Sequence, residues 1–161
     1  AASDVYKRQI YQPRNSENGR IKDYELYFSK DGKNWENKTK GRFENSSSAQ
    51  FVTLEKPIVA RYFKLIALSE IYGRDWASAA ELNVNAVRNL SGASEERQKV
   101  VYVDSDADGS MKLAADGDIN TFWHTVHNQF YLAPYPHEIQ IALAKETTVK
   151  GLKYTPRQDS S

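Results

Sequence analysis

Asn18 to Trp35 reads NGRIKDYELYFSKDGKNW, and along it apolar residues alternate with charges. Tyr24, Leu26 and Phe28 fall on one side of an extended chain while Asp23 and Glu25 fall on the other, the two-residue period of a strand from Ile21 to Ser29. Asp31-Gly32 then marks a turn, and Trp35 follows it. Working outward, the same period recurs. Short strands are expected over Gln50 to Leu54, over Ala60 to Ala67 with Phe63, Leu65 and Ala67 inward, and over Glu81 to Val84, with Pro57 separating the first two. Further on, Ile139, Ile141 and Leu143 alternate with polar or small residues, and Val149 to Tyr154 gives another strand. Only Ser110 to Ala115 reads as a short helical turn. Many short strands joined by Gly, Pro, Asn and Ser turns argue for an all-β chain, an antiparallel sandwich.

The order of the strands carries a second message. Tyr11-Gln12-Pro13-Arg14 returns as Tyr154-Thr155-Pro156-Arg157, at an offset of about one domain length. The chain therefore reads as one period of a tandem repeat, with the back half of one domain over 10–86 and the front half of the next over 99–161. Between them, 87–98 lies in a stretch (AVRNLSGASEERQK, Ala86 to Lys99) with almost no large apolar residue, a linker by composition. If the parent domain's termini lie close together, the halves pair into a single permuted sandwich; the alternative is two incomplete pieces. Ala1 to Gln9 (AASDVYKRQ) resembles the translation of a sequencing adaptor and is set aside as an artefact, with a real amino-terminal tail as the alternative.

Without that stretch, basic and acidic residues balance, and no long Lys/Arg run is present. The charge pattern gives no electrostatic footprint for nucleic acid or for an anionic membrane surface. No apolar stretch approaches the roughly 20 residues that span a bilayer, so no membrane insertion is expected. Forty per cent apolar residues over 161 positions supply one core. With no cysteine, disulfides and zinc–thiolate sites are excluded, and the compartment stays open on that ground.

Two stretches raise the question of calcium. Asp104-Ser105-Asp106-Ala107-Asp108-Gly109 opens like a helix-loop-helix calcium loop, but its twelfth position is Ala115 where a bidentate Glu is needed, so it reads as a solvated loop with surface carboxylates. Asp116-Gly117-Asp118-Ile119-Asn120-Thr121-Phe122-Trp123-His124-Thr125 instead packs carboxylate, carbonyl and hydroxyl oxygens into a few residues, as a hard cation requires. By itself Asp-Gly is first of all a turn.

That loop, the strand Pro136-His137-Glu138-Ile139-Gln140-Ile141, the Tyr-x-Pro-Arg motif with NGRIKDYELYFSKDGKNW, and ARYFKLIALSE with WASAAELNV together resemble the discoidin domain, also called the coagulation factor five/eight type C domain. The likeness is greatest to its bacterial version, carbohydrate-binding module family 32. The resemblance implies a galactose-binding-like jelly-roll β-sandwich with a structural Ca2+ held by the Asp116 side chain, Thr121 oxygens, the carbonyls of Leu113, Asp118 and Ala80, and the Glu81 carboxylate. Glu81 and Asp116 come from different halves, so this site requires the halves to fold together.

The resemblance further implies a sugar site on the loops at one end of the sandwich. A pyranose offers C–H faces and directional hydroxyls, which a flat ring beside hydrogen-bonding side chains can read. The candidates are Tyr72, Arg74 and Trp76 in the loop from Ile71 to Ser78, His124 and Asn128, and Arg157 with its repeat equivalent Arg14. Each has a plainer reading. Trp123 and Trp35 read as structural, Trp76 as platform or loop anchor, and Arg14 and Arg157 as partners for a carboxylate such as Asp75. His127 and His137 are weaker candidates than His124.

The implied function is non-catalytic glycan binding, with a galactose-type or related sugar as partner. Such a module targets a bacterial glycoside hydrolase in the same parent chain, in an extracellular, cell-surface or periplasmic setting. A shallow site implies affinities from about millimolar to micromolar, which tandem copies raise through effective concentration. The rivals are a protein- or phospholipid-binding adhesion module of the same fold and a glycosidase, for which Asp75 and Glu81 are the only pair near the loops.

Overall fold

A computed structural model describes residues 19–86, 98–128 and 131–159. Asp23–Ser29 (β1), Glu36–Arg42 (β2), Gln50–Ala67 (β3), Ser78–Ala79 (β4) and Glu81–Ala86 (β5) come first. Lys99–Val103 (β6), Trp123–His124 (β7), His127–Asn128 (β8), Tyr131–Leu132 (β9) and His137–Thr155 (β10) follow. The helical turn expected near Ser110 is a 3-10 turn over Met111–Ala115. The adaptor-like stretch and residues 87–97 of the linker lie outside the described residues.

Every ladder is antiparallel, and β3 and β10 form its spine. The carboxy-terminal part of β3 pairs with β1, which carries β2, and with the start of β10, which carries β6 on its other side. The amino-terminal part of β3 pairs with the end of β10, which carries β5. In β1 the alternation works as read: Tyr24, Leu26 and Phe28 are buried and Glu25 and Tyr27 half-buried.

Two strands expected on either side of Pro57 are one, and so are the two expected within 137–155. From Ala142 to Thr147, β10 advances five residues while β3 moves only from Tyr62 to Ala60; from Val149 to Gly151 the excess passes to β3, which runs from Ile58 to Thr53. Pro57 sits in that slipped stretch, where its missing N–H breaks no ladder hydrogen bond.

These irregularities let the sheet fold back on itself. Tyr24 pairs with Ala67 at one end of β3 and Tyr154 with Gln50 at the other, positions roughly 55 Å apart on a straight strand. Yet Phe43 lies 4.2 Å from the Tyr24 ring and 4.6 Å from the Tyr154 ring, and the Tyr154 hydroxyl reaches the Ile21 amide at 3.2 Å. The spine must therefore double over, giving an antiparallel jelly-roll β-sandwich. Its single core joins Leu26, Phe28, Phe63, Leu65 and Leu82 to Trp123, Ile139, Ile141, Leu152 and Tyr154. Residues on both sides of 87–97 thus share one interior, and the doubling gathers the loop after β3 and the end of β10 near Ile21 and Ser78.

Candidate functional site

The loop after β3 is organised by one carboxylate. The Glu70 side chain is fully buried and accepts from the amides of Tyr72 (2.8 Å) and Arg74 (3.0 Å) and from Arg74 Nε (2.9 Å) and Nη2 (2.5 Å). Gly73, at φ +74°, allows the chain to curl around it. So held, the Arg74 guanidinium carbon lies 5.2 Å from the Tyr72 ring and 5.3 Å from the Trp76 ring, between two aromatic side chains. The loop's carbonyls are tied down as well. Tyr135 donates its hydroxyl to Trp76 O at 2.8 Å, and His137 Nε2 donates to Asp75 O at 2.5 Å.

His137 is buried, with Nδ1 2.9 Å from Asp104 Oδ2. Burial would push its pKa down, but the Asp104 carboxylate and the Asp75 carbonyl outweigh burial and hold it up. Asp104 also accepts from the Glu138 amide at 2.7 Å, and Ser105 O accepts from Trp123 Nε1 at 3.0 Å. The stretch from Asp104 keeps exposed carboxylates at Asp104 and Asp108, as read, while Asp104 and Ser105 also tie it to His137 and Trp123.

From Trp76 the rings continue along the rim. His127 lies 6.0 Å from Trp76, His124 lies 5.1 Å from His127, and Phe122 lies 5.6 Å from His124. The Arg157 guanidinium covers Phe122 at 4.0 Å and makes a two-pronged ion pair with Asp159, where the sequence offered Asp75 as its partner. Burial, then the neighbouring His127, lowers the pKa of His124 and favours the neutral ring. Of the candidates, Tyr72, Arg74, Trp76, His124 and Arg157 thus fall on one rim. Arg14 lies outside the described residues, as does the side chain of Asn128, whose backbone pairs in β8. Trp123 is wholly buried, and Trp35 is half-buried beneath the Lys64 ammonium, 4.5 Å away.

Phe122 and Glu70 were missed, and His127 was ranked below His124. The first had a usable signal: with Trp123 inward, alternation puts Phe122 and His124 together on the outer face. Glu70 offered none, because only the closed fold shows a carboxylate at zero side-chain exposure.

Beside the rim, the structure brings Glu81, Asp116, Asp118 and Thr121 together. Glu81 Oε1 accepts from the Gly117 amide at 2.8 Å, and its carboxyl contacts that of Asp116. Asp116 accepts from the Thr121 hydroxyl (2.5 Å) and the Asp118 amide (2.9 Å), and Thr121 also reaches Asp118 O (3.0 Å). Ala80 precedes Glu81 with its amide bonded to Thr155 O, and Leu113 lies in the 3-10 turn before the loop. Burial first and Asp116 second push Glu81 up to about 7. Burial opposes ionisation of Asp116, but Thr121, Glu81 and the Asp118 amide prevail and lower its pKa. Among the described residues no cluster of three His, Cys, Asp or Glu side chains could hold a metal, so any ion here needs carbonyl and hydroxyl oxygens as well. The Thr121 hydroxyl and Asp118 O beside the carboxylate pair supply oxygens of that kind.

Among the described residues no helix is long and apolar enough to cross a membrane. The F5/8 type C domain model matches residues 4–82 and 93–161; the first range opens inside the adaptor-like stretch. Over 71 residues the chain is 38% identical to a sialidase of Micromonospora viridifaciens, and over 71 residues 38% identical to a galactose oxidase of Gibberella zeae. These alignments take in 42% and 43% of this chain but 11% and 10% of those proteins, so the chain spans about a tenth of the length of the relatives it matches.

Proposed function

The chain belongs to the F5/8 type C domain family, and from that premise we propose that it is a non-catalytic glycan-binding module whose rim takes a galactose-type or related sugar. The observation that carries this reading is the unbroken run Tyr72, Arg74, Trp76, His127, His124, Phe122, Arg157. Rings offer flat faces to sugar C–H groups, while guanidinium and imidazole nitrogens offer directional partners to hydroxyls. Because Arg74 and Arg157 each pair with a carboxylate, the rim suits a neutral ligand better than an anionic one.

A structural Ca2+ forms the second part of the proposal. Glu81, Asp116, Thr121 and the carbonyls of Leu113, Asp118 and Ala80 would hold it, and the ion would neutralise the carboxylate pair and pin the 116–121 loop to β5. On the same reading the parent protein is an extracellular, cell-surface or periplasmic bacterial protein that carries a catalytic domain acting on glycans. The paired halves derive from neighbouring repeats.

Glycan-array binding tests the rim. The chain binds galactose-type glycans, and Trp76→Ala and His124→Ala each weaken binding at least tenfold while the melting temperature holds. Binding indifferent to both substitutions would remove the rim from the mechanism. Preferential binding to phosphatidylserine vesicles would favour the adhesion reading instead, for which exposed Ile119 and Tyr72 are the apolar contacts. Hydrolysis of a glycoside by the purified chain would restore the enzyme reading.

A further inference from the structure

Next to the rim, on the Tyr72 side, lies a cavity of about 470 Å³ lined by Lys22, Arg42, Phe43, Glu44, Asn45 and Ile71. Its walls are fixed by the backbone. Phe43 N donates to Lys22 O and Lys22 N to Ser69 O, both at 2.8 Å, and Ile71 N donates to Arg20 O at 3.0 Å. The Phe43 ring is clamped between Tyr24 and Tyr154, and Glu44 N is held by Gln50 Oε1 at 2.7 Å. Asn45 joins the cavity to the rim: its Oδ1 accepts from Arg20 Nη1 at 2.5 Å and its Nδ2 donates to the Tyr72 hydroxyl at 3.3 Å. Tyr72 therefore has Arg74 and Trp76 on one side and this cavity on the other.

We propose that the cavity is a second sugar subsite, so that the ligand is an oligosaccharide whose terminal unit lies on the rim and whose next unit enters between Lys22 and Glu44. This rests on the glycan reading of the rim. The chemistry is that of a hydroxyl-rich ring: an ammonium and an amide to donate, a carboxylate to accept, and half-buried Ile71 to supply apolar surface. Arg42 is engaged by Asp23 at 2.8 Å, and Lys22 and Glu44 carry opposite charges, so the cavity favours a neutral sugar, like the rim.

Calorimetric titration with galactose and with a neutral galactose-terminated tetrasaccharide tests this. The wild-type chain should bind the tetrasaccharide about tenfold more tightly. Lys22→Ala combined with Glu44→Ala should erase that gain and leave galactose affinity in place, which also shows that the variant folds. In the wild type, amide resonances of Glu44, Asn45 and Ile71 should shift with tetrasaccharide and stay still with galactose. Galactose binding without a gain on lengthening, or a gain that survives the double substitution, would overturn the subsite alone. Binding of neither saccharide would overturn the rim reading with it.

Discussion

Glu70→Gln separates what the rim loop owes to its buried carboxylate from what it owes to its own rings. The native side chain accepts four hydrogen bonds in a site closed to solvent, two from Arg74's guanidinium and two from backbone amides. Glutamine keeps one carbonyl oxygen, replaces the other with a donor facing donors, and leaves the guanidinium without its counter-charge. Removing one partner of a buried ion pair costs about 3–5 kcal/mol. Arg74 keeps 33% of its side-chain exposure and can turn towards water, which places the loss near the lower end, about 2–3 kcal/mol. For a chain of this length that lowers the melting temperature by roughly 4–12 °C. With Arg74 released, Tyr72 and Trp76 lose the cation between them, and glycan affinity should fall at least tenfold. Scanning calorimetry and glycan titration measure both. Adding Arg74→Met removes the stranded charge, so the double variant should regain about 1–2 kcal/mol of stability without regaining affinity. A Glu70→Gln chain that melts and binds like wild type would refute the account of the loop.

Four further outcomes follow. Since the folded-state pKa of His137 is raised, the stability it contributes is complete below its unfolded value of about 6.5 and is lost as pH rises through the folded value; melting temperature should decline over that window in wild type and stay flat in His137→Gln, and equal slopes would refute the assignment. Gly151→Ala would put a methyl carbon 2.1 Å from Val52 O, a backbone atom within the β3–β10 ladder, so a loss of about 1–3 kcal/mol or more is expected in denaturant titrations, and a change below about 0.5 kcal/mol would contradict the packing. If Ca2+ binds at Glu81 and Asp116, calcium at one hundred times its dissociation constant adds about 2.7 kcal/mol; chelator should lower the melting temperature of wild type but not of Asp116→Ala, and a melt indifferent to chelator would reject the ion. Chains split at Ser91-Gly92 should co-purify because the core draws on both sides of that junction, and independent elution of the two pieces would count against pairing of the halves.

Much of the fold was legible because strands announce themselves by a period that depends only on which face is buried. Tyr24, Leu26 and Phe28 read as one face and form one face. What the pattern could not supply was continuity. Pro57 looks like a break wherever a strand is judged alone, since it lacks a donor, and only the register with β10 shows a slipped stretch that asks for none. In the same way, nothing local in His137 to Thr155 tells that its two alternating runs belong to one strand bent over the core; that follows from Tyr154 packing against Phe43, more than a hundred residues away.

The rim was legible in proportion to how much of its chemistry lies in the residue types themselves. Tyr72, Arg74, Trp76 and His124 are side chains that combine a flat face with a hydrogen-bonding group, and the fold collects them. Phe122 and His127 complete the run by position: each is ordinary alone, Phe122 turns outward because its neighbour Trp123 is driven inward, and His127 joins from β8 beside His124. The supports are the least legible. Glu70, Asp104, Tyr135 and His137 act on the rim through its backbone, and their partners lie up to 62 residues away along the chain. His137 makes the point most clearly. A lone histidine at the start of a strand reads as a weak sugar contact, yet with Asp104 on one nitrogen and the Asp75 carbonyl on the other, it is buried and fixes the loop that carries Trp76. Its substitution should therefore change how the rim is held, and so the pH dependence of stability and of any glycan affinity together, while the side chains proposed to meet the sugar stay the same.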